Sequence, residues 1–393
     1  VSLPEAEEAR STMGPIPATS ATAETGPTRA AAAVMAARVA GLSVLLLAVL
    51  LTLLAAPPAG AEEEAEAPTP EETQEPDSAR AEAEEASAGP VKNGFDLADS
   101  LVPAEKIVEG GPRRDQIRSV DEPGFVEPGE ATWVAPENPV LGVEIDGEAR
   151  VYPVHLLEFH QIVNDEVGGE PVAVTLDPLT GTPRVYKRRV GDRTLTFGVS
   201  GLIHNASFLM FDRETESLWL HFTGRAIDGP LAGRQLEGIR VRQEPFGRWL
   251  ERAPQSLVLE RPEPKKIDYR YSPFSSYWVK DAIPFPVEAK DERFHAKELV
   301  LGVVADGVTK AYLGSSLTAA GGRAVDEVVG HEIRVLYSSD LGVFEWEAPE
   351  EVDVTEAYWF AWKAFHPDTA IWKAPTEAGS GATTATRRPP AGD

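Results

Sequence analysis

The chain contains no cysteine in its 393 residues. That removes disulfides, thiolate nucleophiles, cysteine–zinc sites and iron–sulfur clusters together. Positive charge is also scarce: 37 Lys and Arg stand against 63 Asp and Glu, a net charge of −26. A chain this acidic is repelled by phosphate backbones, which argues against a nucleic-acid partner. Phosphate-cradling and dinucleotide-binding glycine loops are missing, and no HExxH pair occurs. Only one long apolar run is present, which excludes a multi-span membrane protein. The chain as a whole is 42% hydrophobic and 25% charged, the balance of a soluble globular protein.

The one apolar run lies near the start. Arg38 is followed by Val39 to Ala56 without a charge, then by Ala59-Gly60-Ala61. A basic flank, an apolar stretch and a small-residue box make a secretory signal, with Glu62 as the mature N-terminus. The rival reading is a retained single-pass anchor, since such a run is just long enough to span a bilayer core. Residues 35–61 are therefore a signal peptide or a membrane anchor. Either one exports the main domain, which makes the expected location extracytoplasmic: periplasmic, secreted or anchored. Residues 1–34 are polar and Ala-rich, unlike a leader, so Met35 is a candidate true start. Residues 62–90 hold eleven acids and one Arg, with almost nothing to bury. They read as a disordered acidic linker. Residues 374–393 read as a disordered tail.

The folded part carries an internal match. Leu141-Gly-Val-Glu-Ile-Asp-Gly-Glu-Ala-Arg-Val-Tyr152 and Leu301-Gly-Val-Val-Ala-Asp-Gly-Val-Thr-Lys-Ala-Tyr312 agree at six of twelve positions. Each reads as a hairpin about an Asp-Gly turn. The order continues through Asp165 to Gly169 with Asp326 to Gly330, and through Trp249 to Pro254 with Trp362 to Pro367. The expected fold is α+β, mostly antiparallel β, with a few short helices. Two related β-rich lobes, 91–260 and 298–373, arise from internal duplication and are joined by 261–297.

Candidate chemistry gathers in the first lobe, where four of seven histidines fall between 155 and 221. His160, Asp165, Asp177 and His204 form a nitrogen–oxygen donor set that suits a divalent metal ion. Ser200 sits in Gly-Val-Ser-Gly-Leu, which fails the nucleophile elbow at its fifth position and lacks a strand–turn–helix setting. Thr180, Asn205 and Trp219 complete the candidate site, Trp219 as core or pocket wall. Tyr271, Tyr277 and Trp278 admit a sugar-stacking reading.

Several segments in order resemble the DUF3179 family. They are Pro139 to Pro153, Phe159-His-Gln-Ile-Val-Asn-Asp165, Gly169 to Thr175, Thr196-Phe-Gly-Val-Ser-Gly201 and Phe211-Asp-Arg-Glu-Thr-Glu-Ser-Leu-Trp219. The resemblance implies a bacterial or archaeal family, often exported, of no established biochemical role. It covers about 95–260 well and 270–373 more weakly. Where the family typically has Cys-Pro-x-Cys-Gly-Thr, this chain has Asp177-Pro178-Leu179-Thr180-Gly181-Thr182. The family pair implies redox or soft-metal chemistry, which this chain cannot perform with thiols. The leading expectation is a non-catalytic binding or structural module. Its partner is an unidentified cell-surface or small-molecule ligand, and the membrane is met only through an N-terminal anchor. The alternative is a metal-binding protein or metal-dependent enzyme using the four donors above.

Overall fold

The structure is a computed structural model and describes residues 90–262 and 267–375. Residues 1–34, the leader or anchor at 35–61, the acidic linker apart from Pro90 and most of the tail lie outside the described residues. Among the described residues no helix is long and apolar enough to cross a membrane.

The strands form five sheets of three to five strands, with two small two-stranded hairpins beside them. Blade I has the order Arg242–Pro245, Pro139–Ile145, Glu148–Pro153, Leu257–Leu259, Phe125–Val126. Blade II has Gly238–Ile239, Thr182–Lys187, Glu170–Asp177, Ile162–Val167. Blade III has Ala226–Asp228, Leu218–Leu220, Ser207–Asp212, Phe197–His204, Val108–Glu109. Blade IV has Asp353–Tyr358, Leu299–Ala305, Val308–Leu313, Ala370–Ile371. Blade V has Arg323–Val328, His331–Ser338, Val343–Glu347.

These sheets are arranged as a five-bladed β-propeller with only 12% helix. The expected α+β fold of two duplicated lobes is therefore corrected. A hairpin cannot bury its faces alone, so each one recruits strands from a distance. Arg242–Pro245 and Leu257–Leu259 return past two whole blades to flank the 139–153 hairpin, one antiparallel and one parallel. Asp353–Tyr358 and Ala370–Ile371 flank the 299–313 hairpin in the same way. The segments that match in sequence are thus the centres of two separate blades, not of two lobes. The β-rich reading holds.

The local reasons are clear at the turns. Asp146 and Gly147 have φ of 48° and 82°, and Asp306 and Gly307 have 47° and 78°. Positive φ at both central residues is the type I′ geometry that matches strand twist. Gly142 and Gly302 sit against the rings of Trp249 and Trp362, where an added Cβ would lie 2.1 Å from a ring atom. Those rings are fixed by their indole N–H groups, which donate to Ser256 Oγ at 2.7 Å and Thr369 Oγ1 at 2.9 Å. Tyr152 donates to Asp165 Oδ2 at 2.6 Å, and Tyr312 to Asp326 Oδ2 at 2.8 Å. The same pins therefore hold both blade centres to the strands that follow. Blades II and IV are joined by the Arg184 fork on Asp353, at 2.8 and 3.0 Å.

Candidate functional site

The Asp177–Thr182 turn closes the hairpin of blade II, with Asp177 and Thr182 paired across it. Asp177 is wholly buried. Its carboxylate accepts from Ser207 Oγ at 2.8 Å, Phe208 N at 3.2 Å and Leu179 N at 3.0 Å. Ser207 and Phe208 belong to blade III, so this carboxylate ties two blades together. Burial pushes the Asp177 pKa up, and these donors oppose that shift. Thr180 is equally buried. Its carbonyl accepts from Tyr358 N of blade IV at 2.7 Å. Its hydroxyl helps hold down the Asp177 pKa without forming a well-directed hydrogen bond. Gly181 has φ of 65°, and a Cβ there would meet the Tyr358 ring at 3.0 Å.

A short helix, Ser275–Trp278, covers the turn from outside. Tyr277 donates to Leu179 O at 2.8 Å, and Trp278 Nε1 to Pro178 O at 3.2 Å. Those two aromatics are therefore engaged with the turn. Tyr271, by contrast, is exposed.

The other candidates are also built into the framework. His160 ends the helix Val154–His160, which Gln161 stops with φ of 59°. Its Nδ1 bonds Arg118 O at 2.8 Å and its Nε2 bonds Tyr269 Oη at 2.7 Å. Burial lowers its pKa, which keeps the ring neutral. Asp165 is held by Tyr152, and burial raises its pKa. His204 bonds Lys106 O at 3.1 Å through Nδ1 and Asn205 Nδ2 at 3.2 Å through Nε2. Asn205 and Ala206 have φ of 51° and 59°, a two-residue type I′ turn between blade III strands. Asn205 Oδ1 accepts from Glu288 N at 2.9 Å.

Ser200 lies in a bulged strand whose register shifts between Val199 and Ile203. Its hydroxyl donates to Leu209 O at 2.6 Å and accepts from Leu202 N at 3.0 Å. Gly201 fits there because a Cβ would lie 2.1 Å from Pro112 O. Trp219 is fully buried, packs edge-on against Phe197, and donates to Asp212 Oδ2 at 2.9 Å. Asp212 also accepts from Thr215 N at 2.7 Å, so the Asp-Arg-Glu-Thr segment is a self-bonded turn.

The structure brings Asp177 and Thr180 together. It leaves His160, Asp165 and His204 each with its own partners. Among the described residues no group of three or more His, Asp or Glu side chains is placed to hold a metal ion.

An open cleft of about 880 Å³ lies elsewhere, at the edge of blades I and II. It is formed by the 116–122 segment, by Phe159 and His160 at the helix end, and by 260–262 beyond blade I. Val120 bridges to Val163 of blade II, and Glu260 N donates to Gly124 O at 2.8 Å, which fixes both walls. Phe159 meets Tyr269 edge-on at 5.2 Å, and that ring is in turn bonded to His160. Arg261 lies over the Trp133 ring at 5.3 Å. Its charge and the burial of His155 hold the His155 pKa down to about 4, burial being the larger cause. Apart from His160 and the quoted Phe159, the sequence gives no signal for this cleft. Its walls come from segments about 140 residues apart that share no motif.

Fold and site define a β-propeller whose signature turns are internal joints and whose cleft lies at a blade edge. A family model described as "Protein of unknown function (DUF3179)" matches residues 114–348. The chain belongs to that DUF3179 family. Comparison with curated proteins and with solved structures gave no match.

Proposed function

We propose that this chain is an exported, non-catalytic binding module that takes a small-molecule ligand in the cleft beside Phe159 and His160. One observation carries the reading. Asp177, His160, His204 and Ser200 spend their polar atoms on internal bonds, as the three donors on Asp177 and the two-sided clamp on His160 illustrate. A catalytic group must face its substrate within hydrogen-bond reach. The cleft, in contrast, is concave, mixed in polarity and within the size range of ligand sites. Export rests on the apolar run Val39 to Ala56 and the Ala59-Gly60-Ala61 box. The metal-site alternative has no converging donors among the described residues to support it.

Crystals soaked with a panel of neutral, anionic and aromatic fragments test the site. The reading expects bound fragments to concentrate against Phe159 and to be recovered chemically unchanged. Fragments scattered over the surface, or turned over in solution, overturn it. For export, the N-terminal residue of protein recovered outside the cytoplasm should be Glu62, or an intact anchor should fractionate with membranes. Full-length protein confined to the cytosol contradicts export.

A further inference from the structure

The charges around the cleft are unequal in one respect. Its acids are largely committed. Asp121 Oδ1 accepts from Ser119 Oγ at 2.7 Å and from Asn164 Nδ2 at 2.7 Å, and its other oxygen lies 3.5 Å from Arg213. Glu260 is also engaged. Among the described residues Glu122, exposed on the rim, has no such partner. The two arginines differ. Arg118 and Arg261 line the cleft, and among the described residues neither has a carboxylate in ion-pair contact. Both are exposed. The Arg118 carbonyl takes the His160 Nδ1 bond, which fixes its backbone at the cleft wall. Arg261 is seated on the Trp133 ring, which restrains its guanidinium plane. In a chain of net charge −26, two arginines without an ion-pair partner among the described residues line one concavity, beside three acids of which Asp121 and Glu260 are engaged.

The lining also includes four apolar side chains, Ile117, Val120, Phe159 and Ile267. Guanidinium groups bind planar oxyanions bidentately, and an apolar wall gives the rest of the ligand its burial. We propose that the cleft binds an organic carboxylate with an apolar or aromatic body. Arg118 and Arg261 hold the carboxylate, and Phe159 faces the body. This rests on the cleft being the ligand site, and it adds the ligand class. The bound species is discriminated from inorganic anions by the apolar wall and from neutral analogues by the two arginines.

The test is calorimetric titration of the whole chain with 4-phenylbutyrate, 4-phenylbutyramide and inorganic phosphate. The carboxylate should bind saturably at one site, and the amide and phosphate at least tenfold more weakly. R118Q and R261Q should each weaken the carboxylate at least tenfold. Their unliganded melting midpoints should match the parent, because both side chains are exposed. F159A should weaken the carboxylate while leaving the salt dependence of what binding remains. If the amide binds as tightly as the carboxylate and F159A weakens both, the cleft stands as a site and the carboxylate assignment falls. If phosphate binds as tightly, the apolar body is refuted. If neither arginine variant changes carboxylate affinity, or if nothing binds at millimolar concentration, the proposal is overturned.

Discussion

Glu356 gives the sharpest pH test of the fold. It lies on the blade IV strand Asp353–Tyr358 and is only 6% exposed. Burial, and after it the nearby Glu244 of blade I, pushes its pKa from 4.5 up to about 8. Glu244 is itself buried and paired with Arg252. The folded state therefore holds the Glu356 proton more tightly than the unfolded chain does. Its contribution to stability is full below about 4.5, falls as pH rises toward 8, and is lost above that. The shift, at about 1.4 kcal/mol per pH unit, sets a ceiling of about 5 kcal/mol on the loss. E356Q keeps the shape and removes the titration. Urea unfolding followed by tryptophan fluorescence, from pH 5 to pH 9.5, measures both proteins. The difference in unfolding free energy should be small at pH 5 and should grow in favour of E356Q by about 2–5 kcal/mol at pH 9. A flat difference across the range, or an E356Q variant less stable than the parent at pH 9, refutes the reasoning.

Two further perturbations test the joints. D177A strands the Ser207 hydroxyl and the Phe208 and Leu179 amides in the core, so it should cost about 3–5 kcal/mol in denaturant unfolding. A cost under about 1 kcal/mol would mean that this carboxylate is not a joint. G142A and G302A each force a Cβ onto a tryptophan ring that is tied by its own N–H. Each should lower stability by about 3 kcal/mol or more, at the upper end of overpacking costs. Wild-type melting in either would contradict the packing.

Some of this was legible in the residues and some was not. Asp146-Gly147 and Asp306-Gly307 announce their hairpins because a type I′ turn needs just that chemistry. The spacing of those hairpins says nothing of which distant strands will flank them. Arg242–Pro245 reaches its partner about 100 residues back, and only sheet closure decides it. A repeated hairpin therefore read as a repeated lobe, when the sheets make a propeller. At the site, Asp177 and Thr180 stood out because they occupy the turn where the family resemblance places sulfur. Their proximity was readable from spacing. Their three-blade bonding was not, since Ser207, Phe208 and Tyr358 carry no motif. His160 and His204 looked like donors because four of the seven histidines fall between 155 and 221. Their partners are backbone carbonyls, a tyrosine hydroxyl and the Asn205 amide, which composition cannot reveal.

The central claim is that these polar residues hold the propeller together and leave binding to the cleft. Elemental mass spectrometry of the chain, purified without chelator or a histidine tag, tests it most directly beside an H160A/D177A double variant. The account predicts no stoichiometric metal in either protein after titration with divalent ions, and a double variant that melts well below the parent. About one metal ion per chain in the parent, lost in the variant, would contradict it.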